Sequence, residues 1–331
     1  MATNILILSA GTRNKVVQYF QRQMAGRVIA VDCSNLGPAI YDADKAYIVP
    51  RIDAPDYIDV ILDICQKEDI KGVFSLIDPE LSLIAKNYDR FTAIGTTPIV
   101  STYELCETSL DKYAMYEMLQ KLGIPTAKCY LSIEDFETAR AQGEVDYPVF
   151  VKPRKGSASI NINAVKSETM LKALFAECDD LMIQEYMTGQ EYGADVYIDM
   201  ISGKCTSIFL KKKIKMRAGE TDKSVSVKDE NLFKQITTFV ETIGYRGMID
   251  IDLFHDEKND VYYLSEVNPR FGGGYPHAFE CGVNFPAQII NNLEGRENPV
   301  NIGDYREGIY MMKYNEVLIR PDYNVEVKYD A

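Results

Sequence analysis

Two short segments restrict most how this chain can fold: Asp250-Ile251-Asp252-Leu253-Phe254 and Leu264-Ser265-Glu266-Val267-Asn268-Pro269-Arg270. The polar turn Asp256–Asp260 lies between them, the pattern of two adjacent antiparallel strands. Side chains two apart leave the same face of a strand. Glu266 and Asn268 therefore project together, and Asp252 reaches that face from the neighbouring strand. Two carboxylates and an amide oxygen are hard ligands of the kind Mg2+ takes while phosphate oxygens and water fill its other positions. Arg270, two beyond Asn268, can reach a phosphate in transfer, where a cation stabilises developing charge. A charged hairpin on a solvated face has the same local pattern, so other segments must decide.

The first hundred residues alternate short apolar runs with amphipathic stretches. Strands are expected at Ile5–Leu8, Val28–Val31, Ala46–Val49, Gly72–Leu76 and Pro98–Val100, with helices from about Asn14 to Met24 and over Tyr57–Lys67. Such alternation predicts a doubly wound parallel sheet. Ligands of these sheets sit at the carboxyl ends of the strands. Gly11, Asp32 and the Asp78-Pro79-Glu80 stretch fall there, which makes Gly11, Asp78 and Glu80 candidate substrate residues. Capping-box spacings at Ser101/Glu104 and Thr108/Asp111 mark a boundary near 100–110. A helix follows from about Asp111 to Leu122, ended by Gly123 and Pro125. Strands over Thr126–Leu131, Val149–Lys152, Asn161–Val165 and Leu181–Glu185 and helices over Ser132–Gln142 and Glu168–Glu177 form a small middle unit. The remainder reads as strands Tyr192–Met200, Thr206–Met216, Met248–Phe254 and Tyr262–Val267, a helix at Glu230–Ile243, a Gly-rich stretch and a helix at Pro286–Leu293.

Phe150-Val151-Lys152-Pro153 ends an apolar strand with a lysine, and a buried lysine needs an anion. The loop Arg154–Ser159 after it is rich in small residues whose amides can approach anionic oxygens. Lys211, Lys213, Lys215 and Arg217 share one side of a strand if alternation holds.

The Glu-x-Asn-Pro-Arg motif at 266–270, with Asp252 fourteen residues earlier, resembles the metal-binding end of the ATP-grasp superfamily, in particular the large subunit of carbamoyl-phosphate synthase and its single-unit relatives. The resemblance runs over about residues 5–295. It implies that Lys112 and Lys152 contact nucleotide phosphates. It also implies that Gln184-Glu185-Tyr186-Met187 holds adenine through backbone groups and that Glu191 holds the ribose hydroxyls. Asp252, Glu266 and Asn268 would bind Mg2+, with Mn2+ the alternative. Arg270 would be catalytic, with Lys213 or Arg217 facing the γ-phosphate, and Gly273 and Gly274 would line the substrate site. His277 reads as structural or substrate-lining, and His255 as inert.

The expected fold is α/β: a doubly wound parallel sheet (pre-ATP-grasp) over 1–105, then a two-part α+β ATP-grasp fold with a lid at 106–184 and a C-terminal metal-bearing unit at 185–331. The expected activity is an ATP-dependent ligase joining a small-molecule carboxylate to an amine through an acyl phosphate. One ATP-using half of a divided carbamoyl-phosphate synthase and a catalytically silent ATP-binding module are the alternatives. The net charge of −13 excludes nucleic acid and anionic membrane as expected partners. Seven cysteines without a C-x-x-C pair, and no apolar run of membrane-spanning length, point to the cytoplasm. The family resemblance adds a homodimer as an expectation.

Overall fold

The structure is a computed structural model and describes residues 3–23, 26–156 and 163–320. Met24, Ser157–Ser159 of the small-residue loop, the first two residues of the expected strand at 161, and 321–331 of the C-terminal unit lie outside the described residues.

Strands β1 (Asn4–Leu8), β2 (Val28–Asp32), β3 (Lys45–Ile48), β4 (Ile70–Ser75) and β5 (Thr97–Pro98) form one sheet in the order β3-β2-β1-β4-β5. Every pairing is parallel, as the alternation of strands and helices requires. The helices Asn14–Gln23 and Tyr57–Lys67 cover opposite faces. Strand β1 shows why: Ile5 and Ile7 join one core with Val17 and Phe20, while Leu6 and Leu8 join another with Ile61 and Ile64. Each such fully buried aliphatic side chain contributes roughly 1.5–3 kcal/mol. The strand order reverses between β1 and β4, so a crevice opens at their carboxyl ends.

The middle unit contains β6 (Cys129–Tyr130), β7 (Val149–Pro153), β8 (Asn163–Val165) and β9 (Leu181–Glu185), antiparallel in the order β6-β9-β7-β8. Its helices Ile133–Ala141 and Glu168–Glu177 are capped by the Ser132 and Ser167 hydroxyls. They enclose a separate core around Phe136, Val149, Val151, Leu171 and Ile183. Upstream, the caps differ from the expected ones. Thr102, not Ser101, accepts from Leu105 N at the start of helix Tyr103–Leu110, and the Ser101 hydroxyl instead bonds Arg246. Thr108 lies inside that helix, and Asp111 is itself the N-cap of helix Lys112–Lys121.

Strands β10 (Gln190–Ile198), β11 (Cys205–Arg217), β12 (Glu220–Val227), β13 (Gly247–Asp256), β14 (Val261–Asn268) and β15 (Tyr310–Met312) form an antiparallel sheet in the order β14-β13-β10-β11-β12-β15. Helix Glu230–Ile243 packs Leu232, Ile236 and Phe239 into a core shared with Ala194, Val196, Ile249 and Ile251. That core is continuous with the first sheet through Phe20, Phe74 and Phe271, whose rings meet at 5.1–6.1 Å. Several elements escape the sequence reading, among them the short helices Tyr88–Ala93, Tyr103–Leu110 and Tyr275–Glu280. Two bear on the site: strand β12 is nearly all polar, and Asp78-Pro79-Glu80 opens a helix, Asp78–Lys86, with proline in its first turn.

Candidate active site

The register of the six-stranded sheet gathers the charges. Asp250 lies opposite Asn268 and Asp252 opposite Glu266. Across the other edge of β13, Asp195 lies opposite Asp250 and Gly193 opposite Asp252, and Gly193 in turn faces Lys211. Directly paired residues share a sheet face, so one face carries Asp195, Lys211, Lys213, Asp250, Asp252, Glu266 and Asn268. The inference drawn from period two therefore holds for Asp252, Glu266 and Asn268.

Two lysines of β11 reach acids on β10 and, across it, on β13. Lys213 Nζ lies 2.7 Å from Glu191 and 2.7 Å from Asp252. Lys211 is fully buried, pairs with Asp195, and stands 3.8 Å from Asp250. Gly193 makes this crossing possible: a Cβ there would lie 2.9 Å from Lys211 Cε and 3.2 Å from Lys213 Cε. Burial opposes the Lys213 charge, but Asp252 and Glu191 outweigh it and hold the ammonium above its ordinary range. Burial, with Asp252 close by, raises Asp250 to about 7.

The Gly272–Gly274 stretch serves the same charges. A Cβ on Gly272 would meet Asp250 Cγ at 2.4 Å, one on Gly273 would meet Arg13 Nη1 at 2.7 Å, and one on Gly274 would meet Lys211 Cε at 2.8 Å. These glycines are small because charged side chains pack against their backbone.

On the middle-unit side, Lys152 ends β7 only 9% exposed. Among the described residues no hydrogen bond or ion pair reaches its ammonium. Burial pushes it below the ordinary lysine range, and Glu266 pulls it back. Glu266 likewise has no hydrogen bond or ion pair among the described residues; burial raises its carboxyl against the pull of Lys152 and Lys112. Lys112 donates to the Gly156 carbonyl. Asp111 caps the Lys112 helix and also holds Arg154 at 2.6 Å, which fixes the base of the small-residue loop.

Between the two sides lies a cleft of about 650 Å3. Of the expected residues, Lys112, Lys152, Gln184, Glu185, Met187 and Glu191 line it, as do Lys213, Asp252, Glu266, Asn268 and Arg270, and Asp78, Gly273 and Gly274. The Glu185 carboxylate accepts from Lys128 N at 3.1 Å and so holds the strand ends together.

Four expected residues are not brought to the lining. Arg217 sits 2.7 Å from Asn315 and 3.7 Å from Asp222, because irregular pairing around Lys215 breaks the alternation that would have aligned it with Lys213. Glu80 is fully buried beneath the crevice, bonded by Tyr57 and Ser75. Gly11 donates its amide to Asp32 at 2.8 Å, and Tyr186 stacks on Phe150, with ring centroids 4.7 Å apart. His277 is structural: buried, 2.8 Å from the Ser224 hydroxyl and 3.0 Å from the Ile309 carbonyl. His255 stacks on Tyr262 beside Asp260. Residues that sequence reasoning missed are Arg13, Glu220 and Asp250, all on the lining. Asp250 shares the parity of Asp252 and was legible by that signal; Arg13 and Glu220 had none.

The donor set fits a divalent cation. Among the described residues no group of three or more His, Cys, Asp or Glu forms a metal cage. Asp252, Glu266 and Asn268 supply a partial hard-oxygen set, which suits a cation that also takes phosphate oxygens and water.

A parallel sheet followed by two antiparallel units closing on a charged cleft defines a nucleotide-gripping α/β architecture. The chain belongs to the ATP-grasp family: the model described as ATP-grasp domain matches residues 109–274, and one described as PylC-like, N-terminal domain, matches residues 5–99. It is 25% identical over 310 residues to a carbamoyl-phosphate synthase of Methanobrevibacter smithii, covering 89% of this chain and 82% of that protein. It is 23% identical over 289 residues to the carbamoyl phosphate synthase arginine-specific large chain of Geobacillus stearothermophilus, covering 82% of this chain but 26% of that one. Among solved structures, the biotin carboxylase domain of Hydrogenobacter thermophilus 2-oxoglutarate carboxylase, in complex with MgADP and bicarbonate, superposes with a TM-score of 0.73. Its identity is 17%, over 94% of this chain and 73% of that one.

Proposed function

We propose that the chain is an ATP-dependent ligase that activates the carboxylate of a small molecule as an acyl phosphate for attack by an amine. One observation carries the reading. A buried ammonium, Lys152, and a half-buried carboxylate, Glu266, face one cleft, and neither has a hydrogen bond or ion pair among the described residues. Unpaired buried charges are costly, and a nucleotide triphosphate with its divalent cation satisfies both at once.

In this reading the Glu185–Met187 backbone holds adenine, Glu191 the ribose, and Lys112 and Lys152 the phosphates. Asp252, Glu266 and Asn268 hold Mg2+ or Mn2+, which would neutralise charge on the phosphates. Lys213 orders Glu191 and Asp252 by bonding both. Arg270 stands at the transferring phosphate; burial works against its charge, and Asp78 and Asp250 more than offset that. The substrate carboxylate oxygen forms a bond to the γ-phosphorus as the bond to ADP breaks. The amine then attacks the carbonyl carbon, phosphate leaves, and the amine loses a proton. We divide the chain into units 1–105, 106–184 and 185–331, the middle one closing over the cleft to keep water from the acyl phosphate. Cytoplasmic location and a homodimer belong to the same proposal. Its support on location is that, among the described residues, no helix is long and apolar enough to cross a membrane, and that the cysteines are free.

The test is ADP release by purified protein with Mg-ATP across paired panels of carboxylates and amines. Release that depends on a carboxylate supports the reading, and no substrate-dependent release across the panels contradicts it. The similarity to carbamoyl-phosphate synthases supports a second reading, half of a divided enzyme of that kind, for which bicarbonate alone would stimulate ADP release.

A further inference from the structure

At the end of the cleft formed by the N-terminal sheet, four charges make two reciprocal ion pairs. Arg13, in the loop after β1, reaches Glu220 at the start of β12 at 2.9 Å. Asp78, at the first turn of the helix after β4, receives Arg270 from the end of β14 at 2.9 Å. Each unit thus lends one cation and one anion to the other. All four side chains line the cleft. Gly273 lies between them, and a side chain there would strike both Arg13 Nη1 and Glu220 Cδ at 2.7 Å.

Two features show that this arrangement is not self-sufficient. Arg270 bonds only Oδ2 of Asp78; the other oxygen, Oδ1, is buried and finds no hydrogen-bond partner among the described residues. A buried acceptor without a donor is costly, and the cost falls when a donor arrives. Arg13, for its part, offers five N–H donors in a fork matched to a carboxylate, and its ion-pair partner among the described residues, Glu220, is shared with Lys313 at 2.8 Å.

We propose that this end of the cleft reads its substrate as a zwitterion: a free amino acid whose carboxylate lies against Arg13 and Arg270 and whose amine donates to Asp78, with Arg13 the specificity-determining residue. Alternating charges match such a ligand without leaving net charge in a low-dielectric site. A dicarboxylate would face Asp78 and Glu220 with like charge, and a simple amine would add a third cation beside Arg13 and Arg270 without a carboxylate to match their free N–H donors. The inference rests on the ligase reading and names the substrate class for it.

The experiment uses the whole chain with Mg-ATP and three sets of compounds: amino acids of both configurations, the same acids without the amino group, and the same amines without the carboxylate. The expected result is ADP release stimulated by amino acids and not by either truncated set. In Arg13→Met the amino-acid KM rises by about tenfold or more with kcat nearly kept, Arg13→Lys recovers part of the loss, and the KM for ATP is unchanged. Asp78→Asn weakens discrimination against the deaminated acids. Equal stimulation by deaminated acids, an unchanged KM in Arg13→Met, or no stimulation by any amino acid while Mg-ATP still raises the melting temperature would each overturn it. Loss of the Mg-ATP thermal shift in the unaltered protein would instead sink the ligase reading itself.

Discussion

The middle unit and the six-stranded sheet hold their charges in opposite ways. In the sheet, Lys211, Lys213 and Arg270 each have a carboxylate partner at close range, and the sheet shares its apolar core with the N-terminal unit. The middle unit encloses a small core of its own and offers the cleft a buried lysine with no hydrogen bond or ion pair among the described residues. Paired charges in a rigid frame are organised before any ligand arrives, whereas an unpaired one is completed by the ligand. The sheet's own unpaired carboxylate, Glu266, faces the same cleft. These two unpaired charges, one from each side, therefore lie where the two units meet.

Removing the unspent charges should do most. Lys152→Met is expected to lower kcat by about 10²–10³ while raising stability, because it deletes an unpaired buried charge; steady-state kinetics and thermal melts check both. Glu266→Gln should lower kcat by a similar factor and weaken the dependence on divalent cation. Next, Gly193→Ala disturbs the prearranged side. The new methyl pushes both lysine stems and should cost about 1–3 kcal/mol of stability, seen as a lowered melting temperature, together with reduced turnover.

The acid limit should also come from the six-stranded side. Burial, aided by Lys211, lowers His277 from 6.5 to about 4. Between those values the unfolded chain binds the extra proton, so stability is lost as pH falls from 6.5 toward 4, by up to about 3 kcal/mol. His277→Gln should flatten that slope in pH-dependent denaturation. Smallest is Asp111→Ala, which removes a helix cap and the Arg154 pair. It should cost about 1–2 kcal/mol, centred on helix Lys112–Lys121 and the Arg154 end of the adjoining loop, where hydrogen exchange would locate it.

How much was legible follows the same division. Asp252, Glu266 and Asn268 could be read because strand period and a short turn fix their relation. Lys152 could be read because an apolar strand ends on it. Arg217 was misplaced because the pairing irregularity beside Lys215 leaves no mark in the sequence. Strand β12 was missed since its buried face carries Ser224 and Ser226 rather than apolar residues. The Asp78 helix was hidden by a proline-containing stretch that also suits a loop. Arg13 and Glu220 meet only through the tertiary fold, more than two hundred residues apart, and no local pattern encodes such a pair.

The most direct test of the central claim is calorimetric titration of ATP into the protein, with and without Mg2+, for the unaltered chain and Lys152→Met. Satisfied buried charges predict one-to-one binding that strengthens with Mg2+ and falls at least about tenfold in Lys152→Met. ATP affinity indifferent to both Mg2+ and Lys152 would contradict the account.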